Sequence, residues 1–142
     1  MSVSEADVVL DTSAIFSLIR DEPGADTVEA ALDDGRAGKI AIVVSFASLT
    51  EIFYNTVQLA NKERASEIIA RVKSWPVEFV YPDEALCIAA GEIKALFPLS
   101  FADAFVAATA RETKAVLFHK DPEFESLRGT VSLKALPYKL RR

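Results

Sequence analysis

The chain has 142 residues, of which 51% are hydrophobic and 26% charged, and it carries a formal net charge of −5. That length and balance suit one domain, expected to span residues 1–142, with a core that needs neither disulfides nor structural metal; they exclude a disordered or low-complexity chain. The single cysteine, Cys87, excludes an internal disulfide, points to a reducing compartment and is expected in the core.

No uninterrupted apolar segment approaches the ~20 residues of a membrane span, and residues 1–7 offer no basic residue ahead of the first apolar run. A cytoplasmic protein without membrane contact is therefore expected.

In chain order, Val8-Val9-Leu10 predicts a short buried strand, and Asp11-Thr12-Ser13 supplies cap-forming residues for a helix through Ile19. Asp21-Glu22-Pro23-Gly24 breaks it. A second helix is expected over 25–34, then a β-branched strand over 40–44. Ser45 caps a long helix whose inner side is predicted to carry Phe46, Leu49, Ile52, Phe53 and Val57. Ser48, Glu51, Asn55 and Gln58 form a neighbouring polar stripe. After Asn61 another helix runs to Val72, and Pro76 precedes a strand over 77–81. Pro82-Asp83 opens a helix to Leu96, and Ser100 caps the next, rich in alanines suited to close packing. A strand over 115–118, a short helix or turn to Leu127 and an edge strand over 131–135 complete the pattern. Strands separated by helix-length stretches imply an α/β/α sandwich around a central, mainly parallel sheet.

Four acids stand at junctions of this pattern. Asp11 ends the first apolar run and Asp121 follows the fourth, so two strands would deliver carboxylates to the C-terminal edge where open parallel sheets bind ligands. Glu51 lies on the polar stripe of the third helix, and Asp103 follows Ser100 in the Ser-x-x-Asp arrangement of a capping box. Each has an ordinary structural reading: Asp11 and Asp121 as turn residues, Glu51 as a solvated side chain, Asp103 as a helix cap.

The order of these segments is more specific than any one of them. Val8-Val9-Leu10-Asp11-Thr12-Ser13-Ala14, the helix bearing Glu51, Ser100-Phe101-Ala102-Asp103-Ala104 and Asp121-Pro122-Glu123-Phe124 together resemble the PIN-domain ribonucleases, and among them the VapC-type toxins of type II toxin-antitoxin pairs. The likeness runs from Val8 to about Leu136. It implies a metal-dependent endoribonuclease in which Asp11, Glu51, Asp103 and Asp121 are both metal ligands and catalytic residues, supported by Thr12 and Ser13. It also implies a homodimer and a cognate VapB-type antitoxin seated in an apolar groove, for which Ile15, Phe16 and Ile19 are candidate anchors or else internal core. One departure is plain: the family often has Thr or Ser two residues before its last acid, where this chain has His119.

Hydrolysing a phosphodiester in RNA suits such residues. Mg²⁺ or Mn²⁺ prefers oxygen ligands, whereas a lone cysteine and a lone histidine do not suit zinc. Of the 21 acidic residues, the 17 outside this set nearly balance the 16 basic ones, so the total charge does not exclude a polyanionic substrate. Arg20, Lys62, Arg64 and Lys120 could steer phosphates, although scattered surface cations are ordinarily just solvated charge. Phe16, Phe46, Phe53, Phe101 and Phe105 fit core packing better than base stacking. Two other readings remain. A haloacid-dehalogenase-like phosphatase also places Asp after its first strand but wants a second Asp where Ser13 stands. A non-catalytic PIN-like module would bind RNA or protein without cleavage.

Overall fold

The computed structural model describes residues 4–138. Its elements in order are β1 (Val8–Leu10), α1 (Thr12–Ile19), α2 (Ala25–Arg36), β2 (Ile42–Ser45), α3 (Phe46–Leu59), α4 (Lys62–Lys73) and β3 (Glu78–Val80). These are followed by α5 (Glu84–Leu96), α6 (Phe101–Thr113), β4 (Val116–His119), a short 3-10 helix (Pro122–Leu127) and β5 (Ser132–Ala135). The helix starts follow the polar residues that favour them. Asp11, Ser45, Asn61, Asp83 and Ser100 each accept a backbone N–H of the first turn they cap.

The five strands form one parallel sheet in the order β3-β2-β1-β4-β5. β1 is central and pairs Val9 with Val43 on one side and with Leu117 on the other. Alternation of side chains along β1 feeds two cores. Val9, Val43 and Leu117 meet α5 and α6, while Val8, Leu10, Ile42, Val44 and Phe118 meet α1, α2 and α4. Both faces are covered, which is why the three central strands read as continuous apolar runs rather than alternating ones. A fully buried side chain such as Leu10 or Leu117 contributes about 1.5–3 kcal/mol.

Several expectations change. β2 begins at Ile42, not at residue 40, because Ala41 is already engaged: its N–H donates to the Asp7 carboxylate at 2.7 Å and its carbonyl accepts from Asp7 and Val8. Cys87 is exposed rather than in the core. The buried side of α5 is Leu86, Ala89, Ala90 and Ile93, and Cys87 lies one step around the helix from that stripe. Phe101 is 71% exposed, since it occupies the first turn of α6 at the end of the packed layer and only leans on Phe105. Phe16 and Phe105 are buried as expected. In α3 the buried side is Ala47, Ser48, Ile52 and Thr56, so Ser48 is a wholly buried residue and not part of a solvated stripe. Among the candidate anchors, Ile15 and Phe16 are internal core and Ile19 packs against it partly buried. Among the described residues no single helix is long and apolar enough to cross a membrane.

Candidate functional site

The strand order reverses direction between β1 and β4, and their C-terminal ends open a cleft there. Asp11, Glu51, Asp103 and Asp121 all line it, together with Thr12, Ser13, Phe16, Arg20 and Asn55. All six residues singled out from the sequence are thus brought together. The cleft holds about 260 Å³.

Asp11 is the most constrained of the acids. Its backbone closes the β1–β4 ladder by donating to the Phe118 carbonyl, while its side chain caps α1 by accepting from Ala14 N–H at 2.7 Å. Ser13 Oγ lies 2.8 Å from both carboxylate oxygens and accepts the backbone N–H of Lys120 at 3.0 Å, tying Asp11 to the end of β4. Burial pushes the Asp11 carboxyl up to about 7; the hydrogen bonds from Ala14 and Ser13 oppose this, and the nearby Asp103 and Asp121 add to it. Glu51, one turn into the exposed side of α3, accepts a hydrogen bond from Thr12 Oγ1 at 2.7 Å.

Asp103 sits in the first turn of α6, where its N–H donates to Ser100 Oγ at 3.1 Å. Ser100 thus caps α6 as expected, through the Asp103 backbone and not its carboxylate. The Asp103 carboxyl is pushed up to about 6, first by burial and then by Glu51 and Asp121. A carboxylate serving only as a cap at a helix N-terminus would be lowered instead.

Glu123 was not among the residues picked from the sequence. Its carboxylate, with those of Asp103 and Asp121, offers oxygens that all lie within 4.8 Å of one another. The Asp-Pro-Glu spacing was the available signal. Asp121 caps the 3-10 helix by accepting Glu123 N–H at 2.9 Å, and this turn folds the second acid back beside the first. Tyr138, which does not line the cleft, has a hydroxyl pKa raised first by burial and then by Glu125, Asp121 and Asp11.

His119 is fully buried and does not line the cleft. Its Nδ1 accepts the backbone N–H of Asp121 at 3.2 Å, and its Nε2 lies 2.9 Å from Glu125 Oε2. Those two partners call for the neutral tautomer with its proton on Nε2. The departure from the family pattern therefore still supplies an acceptor, the ring Nδ1, for the Asp121 N–H.

A cluster of this kind fits hard divalent cations. Its donors are all oxygen, and a bound Mg²⁺ or Mn²⁺ would offset the burial that chiefly raises Asp11 and Asp103 and the repulsion between neighbouring acids that adds to it.

Residues 8–129 match the PIN domain family. The chain belongs to that family. A comparison with curated protein sequences finds no match. Among solved structures, the chain is similar to one of VapBC2 from Rickettsia felis bound to a DNA fragment from its promoter (TM-score 0.75, 18% identity, covering 92% of this chain and 98% of that one). It is similar to DNA-bound VapBC from Salmonella typhimurium (0.73, 21%, 91% and 97%). It is also similar to VapC20 from Mycobacterium tuberculosis, a sarcin-ricin loop cleaving toxin (0.69, 20%, 92% and 100%). At these identities the solved structures share the PIN fold, with its parallel sheet and covered faces.

Proposed function

We propose that this PIN domain, as a single domain spanning residues 1–142, is a Mg²⁺- or Mn²⁺-dependent endoribonuclease of the VapC toxin type, acting in the cytoplasm. The observation that carries the proposal is the convergence of Asp103, Asp121 and Glu123 within 4.8 Å in a cleft that Asp11 and Glu51 also line. Asp11, Glu51, Asp103, Asp121 and Glu123 would hold the metal. A bound divalent cation supplies the Lewis acidity that phosphodiester hydrolysis requires. The protein's own part is placement. Ser13 and the α1 N-terminus fix Asp11, Thr12 fixes Glu51, and His119 fixes the backbone of Asp121. No side chain forms a covalent intermediate; water attacks phosphorus and the ribose oxygen leaves.

The likeness to VapBC assemblies supports a VapB-type antitoxin as the partner. Ile88, Leu96 and Phe101, exposed large apolar side chains on α5 and at the start of α6, support a homodimer whose second copy covers them.

Incubating purified protein with total RNA, with Mn²⁺ and with chelator, and comparing Asp103→Asn, tests the activity. Fragments that require both metal and Asp103 are expected. RNA binding without cleavage in saturating Mn²⁺ would instead favour the non-catalytic module.

A further inference from the structure

The cleft is anionic, and the chain as a whole is acidic, so an RNA strand needs a cation to hold it before chemistry. Of the four cations that are candidates to steer phosphates, three are elsewhere or engaged. Lys120 is nearly buried, donating to the Pro23 carbonyl at 2.8 Å with Glu22 at 3.6 Å. Arg64 faces Glu67 at 3.7 Å along α4, and Lys62 lies outside the cleft at the start of that helix. Arg20 is the one basic side chain among the described residues that line the cleft.

Its setting is unusual for a cation beside so many carboxylates. Attraction should draw the guanidinium onto one of them. Instead it lies 3.8 Å from the ring centroid of Phe16, one helical turn earlier, and among the described residues no carboxylate is within ion-pairing distance. Phe16 is itself buried and cannot swing. The cation–π contact holds the guanidinium over the Phe16 ring and leaves its N–H groups uncommitted at the rim. A guanidinium held over a buried ring and unpaired is preorganised to meet a pair of phosphodiester oxygens.

We infer that Arg20, stacked on Phe16, is a phosphate subsite that grips a non-scissile phosphate of single-stranded RNA next to the one at the acidic cluster. This rests on the nuclease reading above. Its role is in substrate binding, and metal binding does not require it.

The test uses the Asp103→Asn protein, which holds RNA without cutting it, with and without Arg20→Gln, and a short labelled single-stranded RNA in Mn²⁺ titrated with salt. Arg20→Gln should weaken RNA binding about tenfold, the size of a lost charge-assisted hydrogen-bonded pair. It should also reduce the slope of log affinity against log salt by about 0.7, the value for one phosphate contact on a single strand. Arg20→Lys should keep the slope and lose part of the affinity. Mn²⁺ affinity measured without RNA should not weaken, and in the cleaving protein the loss should fall on KM more than on kcat. Equal affinity and equal slope in Arg20→Gln would overturn the subsite while leaving the nuclease reading intact, as would a defect confined to antitoxin binding. If the chain with Arg20 intact binds no RNA, the nuclease reading fails and the subsite fails with it.

Discussion

His119 and Asp121 are joined ring to backbone: the imidazole Nδ1, wholly buried, accepts the Asp121 N–H at 3.2 Å. The acid is thereby held where its carboxylate can meet those of Asp103 and Glu123. His119→Thr should retain the acceptor and with it most metal affinity. His119→Leu leaves that N–H and the Glu125 carboxylate short of a partner, which should weaken Mn²⁺ binding roughly 10- to 100-fold and cost on the order of 1–3 kcal/mol of stability. Calorimetric Mn²⁺ titration of the two variants separates them, and equal affinities would remove His119 from the site's support.

Asp11 is held in an environment that disfavours its charge, so its removal should separate stability from activity. Asp11→Asn can still cap α1 and carries no charge to desolvate. Without metal, near pH 7, it should be more stable than the parent by about 0.5–2 kcal/mol, in the manner of other strained functional sites. It should nonetheless lose nearly all RNA cleavage. Chemical denaturation in chelator and an RNA cleavage assay check the two halves, and full cleavage by a folded Asp11→Asn protein would defeat the proposed role.

Proton linkage gives a signed pH dependence. The carboxyls of Asp11 and Asp103 are raised to about 7 and about 6, so the folded metal-free protein holds more protons than the unfolded chain between the ordinary value of 3.8 and these values. The stability these groups contribute is fully present below about 3.8 and is lost as pH climbs through 6 and 7. The stability advantage of Asp11→Asn over the parent should therefore widen across that window and level off above it. Metal binding must displace the same protons, so Mn²⁺ affinity should increase over the same range. Melting temperatures in chelator from pH 4 to 8, with parallel metal titrations, measure both trends.

Glu123→Gln tests the acid that sequence reading passed over. If its carboxylate completes the triad with Asp103 and Asp121, metal affinity should fall at least tenfold with little change in melting temperature, because Glu123 is exposed and its N–H still caps onto Asp121. Unchanged Mn²⁺ affinity would leave Glu123 as a bystander.

The fold was legible wherever local chemistry sets the boundary. Asp11, Ser45, Asn61, Asp83 and Ser100 announce helix starts through their own side chains, and the apolar runs at Val8, Val43 and Leu117 could only be strands covered on both faces. The four acids were legible through their order along the chain. What escaped was decided by packing between distant elements. The sequence alone does not reveal which side of α5 meets the sheet, so Cys87 was misplaced, and likewise Ser48 on α3. Phe101 fits an apolar helix face by spacing but lies beyond the edge of the layer it would pack on. Glu123 depends on a 3-10 turn tight enough to bring two acids side by side, and Arg20 is distinguished from other surface cations by its place in the cleft over a buried ring, neither of which its sequence position shows.

The placement of β4 next to β1 has a bearing on when the acidic cleft is completed. The central strand finds one of its two neighbours only after more than a hundred further residues have been synthesised, and the loop carrying Asp121 and Glu123 comes later still. Such long-range pairing is slow to close, and chains emerging from the ribosome acquire it last. A growing or prematurely ended polypeptide that stops before β4 lacks Asp121 and Glu123, two of the five acids of the cleft, so the proposed metal site is complete only once β4 and the turn after it have been made.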